Sequence, residues 1–78
     1  MEIKVFGPGC AKCAEAEKLV REVVAARGVS AEVTKVSDFK EIMKAGVLST
    51  PAVAINGKVM VTGRVPSKDE LAAWLDNA

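Results

Sequence analysis

The sequence predicts a small α/β protein of order βαβαββα, with a four-stranded mixed sheet flanked by helices. Three observations predict it. Short runs rich in Val and Ile alternate with helical patterns, as in strands joined through helices. Asn56-Gly57 separates two β-prone runs and signals a tight hairpin late in the chain. Capping patterns at Asp38 and Ser67 open the second and third helices.

Residues 2–6, with the short apolar run Ile3-Lys4-Val5-Phe6, read as the first strand. Ala11–Arg27 reads as a helix. Its apolar residues Cys13, Ala16, Val20, Val23, Val24 and Ala26 fall close to helical spacing, with Lys12, Glu15, Lys18, Arg21 and Glu22 mostly around the other side. Gly28 is a natural stop. Residues 29–36 are Val-rich and contain Thr34, which predicts the second strand. Ser37-Asp38 opens a short helix in which Asp38 and Glu41 have capping-box spacing and Phe39, Ile42 and Met43 form the apolar stripe. Ala45-Gly46 ends it, and residues 47–51 connect to a third strand, Ala52–Ile55.

Asn56-Gly57 then turns the chain into an antiparallel fourth strand, Lys58–Thr62. Residues 63–66 form a turn, and Ser67 with Glu70 caps a last helix, Lys68–Asp76, whose Leu71, Trp74 and Leu75 face inward. Trp74 is expected in the core rather than against a cofactor. Helices join the first strand to the second and the second to the third, so these crossovers predict a parallel arrangement with an antiparallel edge from the hairpin. With no repeat, linker or low-complexity segment, residues 1–78 read as one domain.

A chain of 78 residues buries a modest fraction of its surface, so its core must be compact. Half the residues are hydrophobic and only 4% aromatic, which suits a close-packed aliphatic core. A disulfide between Cys10 and Cys13 closes a very small ring and adds little through chain entropy. Eleven basic residues face ten acidic ones, so nucleic acid is not an expected partner. Met1 leads straight into a strand pattern, and no run of ~20 apolar residues exists. The expectation is a monomer in the cytoplasm with no membrane association. In a reducing compartment a lone Cys-x-x-Cys reads as catalytic or metal-binding rather than structural.

That motif is Gly7-Pro8-Gly9-Cys10-Ala11-Lys12-Cys13, set between a strand and a helix. Unpaired N–H groups and aligned peptide dipoles make a helix N-terminus partly positive. They stabilise a thiolate, which is the reactive form of cysteine. Cys10, at or just before the first turn, is the expected attacking thiol, with a titration below the ~8.5 of free cysteine. Cys13, one turn in and on the inward side, is the expected resolving thiol. Lys12 either tunes the thiolate or is a solvated surface lysine. Thr50-Pro51 also admits two readings: a proline that opens a strand without a ladder donor, or a cis peptide bond.

These motifs together resemble the thioredoxin superfamily: Cys-x-x-Cys after the first strand, Val47-Leu48-Ser49-Thr50-Pro51-Ala52-Val53 before the third, Asn56-Gly57-Lys58 in the hairpin and Gly63 after it. The chain is most similar to the very small thioredoxin/glutaredoxin-like redox-active disulfide proteins of archaea and bacteria. The resemblance covers nearly the whole chain and implies a thioredoxin-like fold. It implies Cys10 as nucleophile, Cys13 as resolving cysteine and Pro51 as a cis-proline packed beside the disulfide. It also implies that Thr50 offers backbone groups to an extended substrate and that Gly63 lets a partner approach. The implied partners are protein disulfides and a thioredoxin-reductase-like electron donor, with no cofactor.

The chain departs from that pattern in places. Gly9 stands where thioredoxins usually carry Trp, Ala11-Lys12 replaces Gly-Pro, and Lys4 occupies the place of a buried acid. No Tyr is present to support glutathione use.

Two other functions compete. A copper or zinc carrier could use the Cys10 and Cys13 thiolates. However, copper-chaperone domains run βαββαβ with Met two residues before the first cysteine, where this chain has Pro8. Zinc usually takes four ligands, whereas two cysteines and no histidine are present. A noncatalytic adaptor would not need both cysteines intact.

Overall fold

The computed structural model describes residues 1–9 and 11–77. Its elements are β1 (Glu2–Phe6), α1 (Ala11–Arg27), β2 (Glu32–Val36), α2 (Phe39–Lys44), β3 (Ala52–Ile55), β4 (Lys58–Thr62) and α3 (Lys68–Asp76). The strands form one mixed sheet in the order β2-β1-β3-β4. β1 pairs parallel with β2. It pairs antiparallel with β3, which in turn pairs antiparallel with β4.

Strand alternation assigns the apolar residues to two cores, one on each face of the sheet. Ile3, Val5, Val53, Ile55 and Val61 pack against Ala16, Val20 and Val23 of α1 and Leu71 and Leu75 of α3. On the other face Phe6, Ala52 and Ala54 meet Ile42 of α2 and the adjoining Val47. Helices therefore flank the sheet on both faces.

The run from β2 to β3 departs from the crossover prediction. Phe6 is paired with Val36 on one side and Ala52 on the other. β2 thus ends, and β3 begins, at the same end of the sheet. A parallel return would have to traverse the sheet's length. A six-residue α2 spans only ~9 Å at 1.5 Å per residue, and the link turns back at that end instead.

Three local differences have similarly physical causes. β2 begins at Glu32, three residues later than the Val-rich run suggests. The end of α1 is closed by Val29 N–H donating to the Val24 carbonyl and Gly28 N–H to Ala25, both 3.3 Å. This Schellman arrangement uses Val29 as a helix cap rather than a strand residue. In α2 only Ile42 is buried, while Phe39 is 66% and Met43 71% exposed, so the expected three-residue stripe is reduced to one. Asp38 does cap α2, but through the Lys40 N–H at 2.8 Å, and the Glu41 carboxylate lies 3.7 Å from Lys44 instead.

The other caps follow the sequence. Ser67 and Glu70 form a reciprocal capping box on α3. Asn56 (φ 50°) and Gly57 (φ 85°) build the hairpin turn, matching a type I′ geometry that needs positive φ at both positions.

Candidate functional site

Gly7, Pro51 and Gly63 come together through strand register. Phe6 faces Ala52, and Ala52 faces Thr62. The next residue outward on each strand is Gly7, Pro51 and Gly63, side by side across one sheet end. Gly7 donates its N–H to the Val36 carbonyl at 2.9 Å, and Gly63 donates to the Pro51 carbonyl at 2.9 Å. Backbone bonds thus tie this row beyond the ladders themselves.

α1 starts from the same end. Gly9 reaches φ 101°, a region in which a Cβ is rarely tolerated, and the chain enters α1 at Ala11. Cys13 lies in the first turn, 0% exposed, and is disulfide-bonded. No acidic residue occupies that turn, so no carboxylate offsets the positive end of the helix dipole. Lys12 is exposed on the same turn. Cys10 lies outside the described residues.

The Thr50-Pro51 peptide bond is cis. Pro51 is fully buried, Thr50 is half-buried, and Gly63 is exposed. Gly63 also sits close to its neighbour: a Cβ there would come within 3.2 Å of Ser49 Cβ. Leu48, two residues before Thr50, is 94% exposed.

Two positions highlighted by the sequence lie elsewhere. Lys4 is half-buried on the sheet face opposite α1 and α3, with its ammonium 3.6 Å from Glu2. Among the described residues no polar or charged side chain is buried. Trp74 is half-buried at the edge of the larger core. It lines a recess of about 360 Å³ with Ile55, Asn56, Lys58, Met60 and Asn77, at the hairpin end, away from Pro51.

Sequence reasoning missed Gly7 and Ser49. Gly7 was legible only as part of a turn, yet it is buried and its Cα lies directly against Cys13. Ser49 was legible only as part of the run before Pro51 and was given no role, and its closeness to Gly63 is what marks it.

The mixed four-stranded sheet, its three helices and a disulfide-bonded cysteine at a helix start define a thiol–disulfide type of α/β protein. Comparisons with known proteins agree. Residues 1–76 match the family model described as Thioredoxin domain. A protein named Thioredoxin from Methanothermobacter thermautotrophicus is 39% identical over 71 residues, covering 91% of this chain and 92% of the relative. Another Thioredoxin, from Methanocaldococcus jannaschii, is 37% identical over 78 residues, covering 95% and 90%. A Probable Thioredoxin from Archaeoglobus fulgidus is 38% identical over 73 residues, covering 88% and 79%. The chain belongs to the thioredoxin family. Its enzymatic class is protein-disulfide oxidoreductase. No helix among the described residues is long and apolar enough to cross a membrane.

Proposed function

We propose that this protein reduces protein disulfides through a dithiol formed by Cys10 and Cys13, acting as one monomeric domain in the cytoplasm. The observation that carries this reading is Cys13 itself: buried and disulfide-bonded, on a helical turn without a carboxylate. The Cys10 thiolate attacks a substrate disulfide, forming a mixed disulfide and releasing one substrate thiolate. Cys13 loses its proton and attacks the Cys10 sulfur, releasing the second. Two electrons pass to the substrate, whose two sulfurs take up protons, and the Cys10–Cys13 disulfide remains. A thioredoxin-reductase-like donor returns the pair to the dithiol.

The row at the sheet end supports a groove for an extended substrate. Thr50 would offer backbone groups, Pro51 would pack beside the disulfide, and Gly63 would admit the substrate backbone. Pro51 carries no N–H and no side-chain donor that could coordinate a metal beside the thiols. Lys12 would add a positive charge near Cys10. The test is insulin reduction with dithiothreitol, beside zinc and copper titrations of the reduced protein. Wild type should accelerate insulin reduction, and Cys10→Ser should not. Tight metal binding without insulin reduction would replace this reading with metal carriage.

A further inference from the structure

Gly7 is where β1 hands the chain to the cysteine loop, and the space a side chain would fill there is taken. A Cβ built on Gly7 would lie 2.3 Å from Cys13 Sγ and 2.6 Å from Cys13 Cβ, with Cys13 Cα at 3.7 Å. Favourable non-bonded contacts between carbons lie at ~3.5–4.0 Å, so the first two approaches are overlaps and the third is ordinary contact. Gly7 has little freedom to retreat, being buried and bonded through its N–H to the Val36 carbonyl. Cys13 is equally confined, 0% exposed on α1. Gly9 is the contrasting case. It has positive φ and nothing within 4 Å of its Cβ position, so glycine there serves backbone conformation. Gly7 lies outside the positive-φ set, so glycine there serves space.

The two redox states would meet a side chain at position 7 differently. In the disulfide form the Cys13 sulfur is held by its covalent bond and cannot rotate away. In the dithiol form it can turn to another staggered rotamer, leaving only the overlap with Cβ. We propose that Gly7 is the positioning residue for the Cys13 sulfur, its missing side chain being the space that lets the disulfide form close. This rests on Cys13 being half of a working dithiol. A methyl group at position 7 should therefore penalise the disulfide more than the dithiol and make the protein easier to reduce.

The test is equilibration of wild type and Gly7→Ala with graded mixtures of reduced and oxidised dithiothreitol. Two electrons pass from the reagent dithiol to the protein disulfide, leaving the cyclic oxidised reagent. Gly7→Ala should shift this equilibrium toward the protein dithiol by about tenfold, or ~30 mV for a two-electron couple. Urea unfolding should show the same factor as an extra stability loss in the oxidised variant over the reduced one. Equal losses in both states with an unshifted equilibrium would show a purely structural glycine and overturn the proposal.

If Gly7→Ala folds in neither state, the same equilibration is run in trimethylamine N-oxide, which favours folded states. An equilibrium shifted toward the dithiol supports the proposal, and an unshifted one, or a variant still unfolded in both states, overturns it. A wild type that neither exchanges with dithiothreitol nor reduces insulin would remove the dithiol reading, and this inference with it, before any variant is compared.

Discussion

At the residue scale, α2 separates what periodicity gives from what packing decides. Phe39 and Met43 stand one turn apart on one side of the helix, with Ile42 beside them, so helical spacing groups all three as apolar. Only Ile42, at 3% exposure, is buried. A helix this short touches the sheet over about one turn, and Ile42 with Val47 fills the space above Phe6, Ala52 and Ala54. Ile42→Ala should cost ~2–4 kcal/mol in urea unfolding, from lost burial and the cavity left behind. Phe39→Ala should stay within about 0.5 kcal/mol. Comparable losses at both positions would mean that Phe39 packs inward after all. The candidate site shows the same divide: Cys10 and Cys13 stand out by residue type and spacing, and Thr50 and Pro51 through the family resemblance. Gly7 does not, because a glycine kept for space looks like a glycine kept for a turn.

At the element scale, caps and tight turns were legible because their side chains act within a few residues. The α3 box is the clearest case, with Glu70 N–H donating to Ser67 Oγ and Ser67 N–H to Glu70 Oε1, both at 3.1 Å. Ser67→Ala should therefore cost ~1 kcal/mol, read from the urea midpoint. Arg64 adds a fork that no local pattern suggested, its two amino groups donating to the Glu70 carboxylate at 2.7 and 2.6 Å. That guanidinium, helped by the Ser67 N–H, holds the Glu70 carboxyl from its ordinary 4.5 down to about 2.

The sign follows from linkage. A depressed folded-state value favours the folded protein above the unfolded value, and that contribution disappears as pH falls through the folded one. Wild type should lose this contribution between pH 4.5 and about 2, and Arg64→Gln should lose less over that interval. Parallel pH profiles for the two proteins would remove the fork from acid stability.

β4 shows what lay beyond local reading. Val53 faces Val61, yet Ala54 faces Val59, so Met60 is an extra residue in the ladder. Val59 and Val61 therefore lie on opposite faces although two residues apart, a break in alternation that a bulge produces.

At the scale of the whole molecule, the order of elements was legible but the direction of β3 was not. Crossover handedness governs a strand that returns parallel to its predecessor. Nothing in residues 37–51 states whether the chain returns or reverses. Register settles it: Val36 and Ala52 flank Phe6 at one end. That reversal gathers the loops after β1, before β3 and after β4, so Gly7, Pro51 and Gly63 meet beside the start of α1. Resemblance to a known family implied Pro51 beside the cysteines and an approach at Gly63, which periodicity could not reach, and it implied nothing of Gly7.

The division of labour between Cys10 and Cys13 is the claim on which the proposed chemistry turns, and intact-mass analysis tests it directly. Reduced Cys13→Ser and Cys10→Ser proteins are each mixed with insulin. Cys13→Ser should accumulate a covalent adduct with an insulin chain, released by dithiothreitol, because its attacking thiol remains and nothing resolves the mixed disulfide. Cys10→Ser should give none, its remaining thiol being buried at position 13. An adduct on Cys10→Ser and none on Cys13→Ser would contradict the assignment of the attack to Cys10.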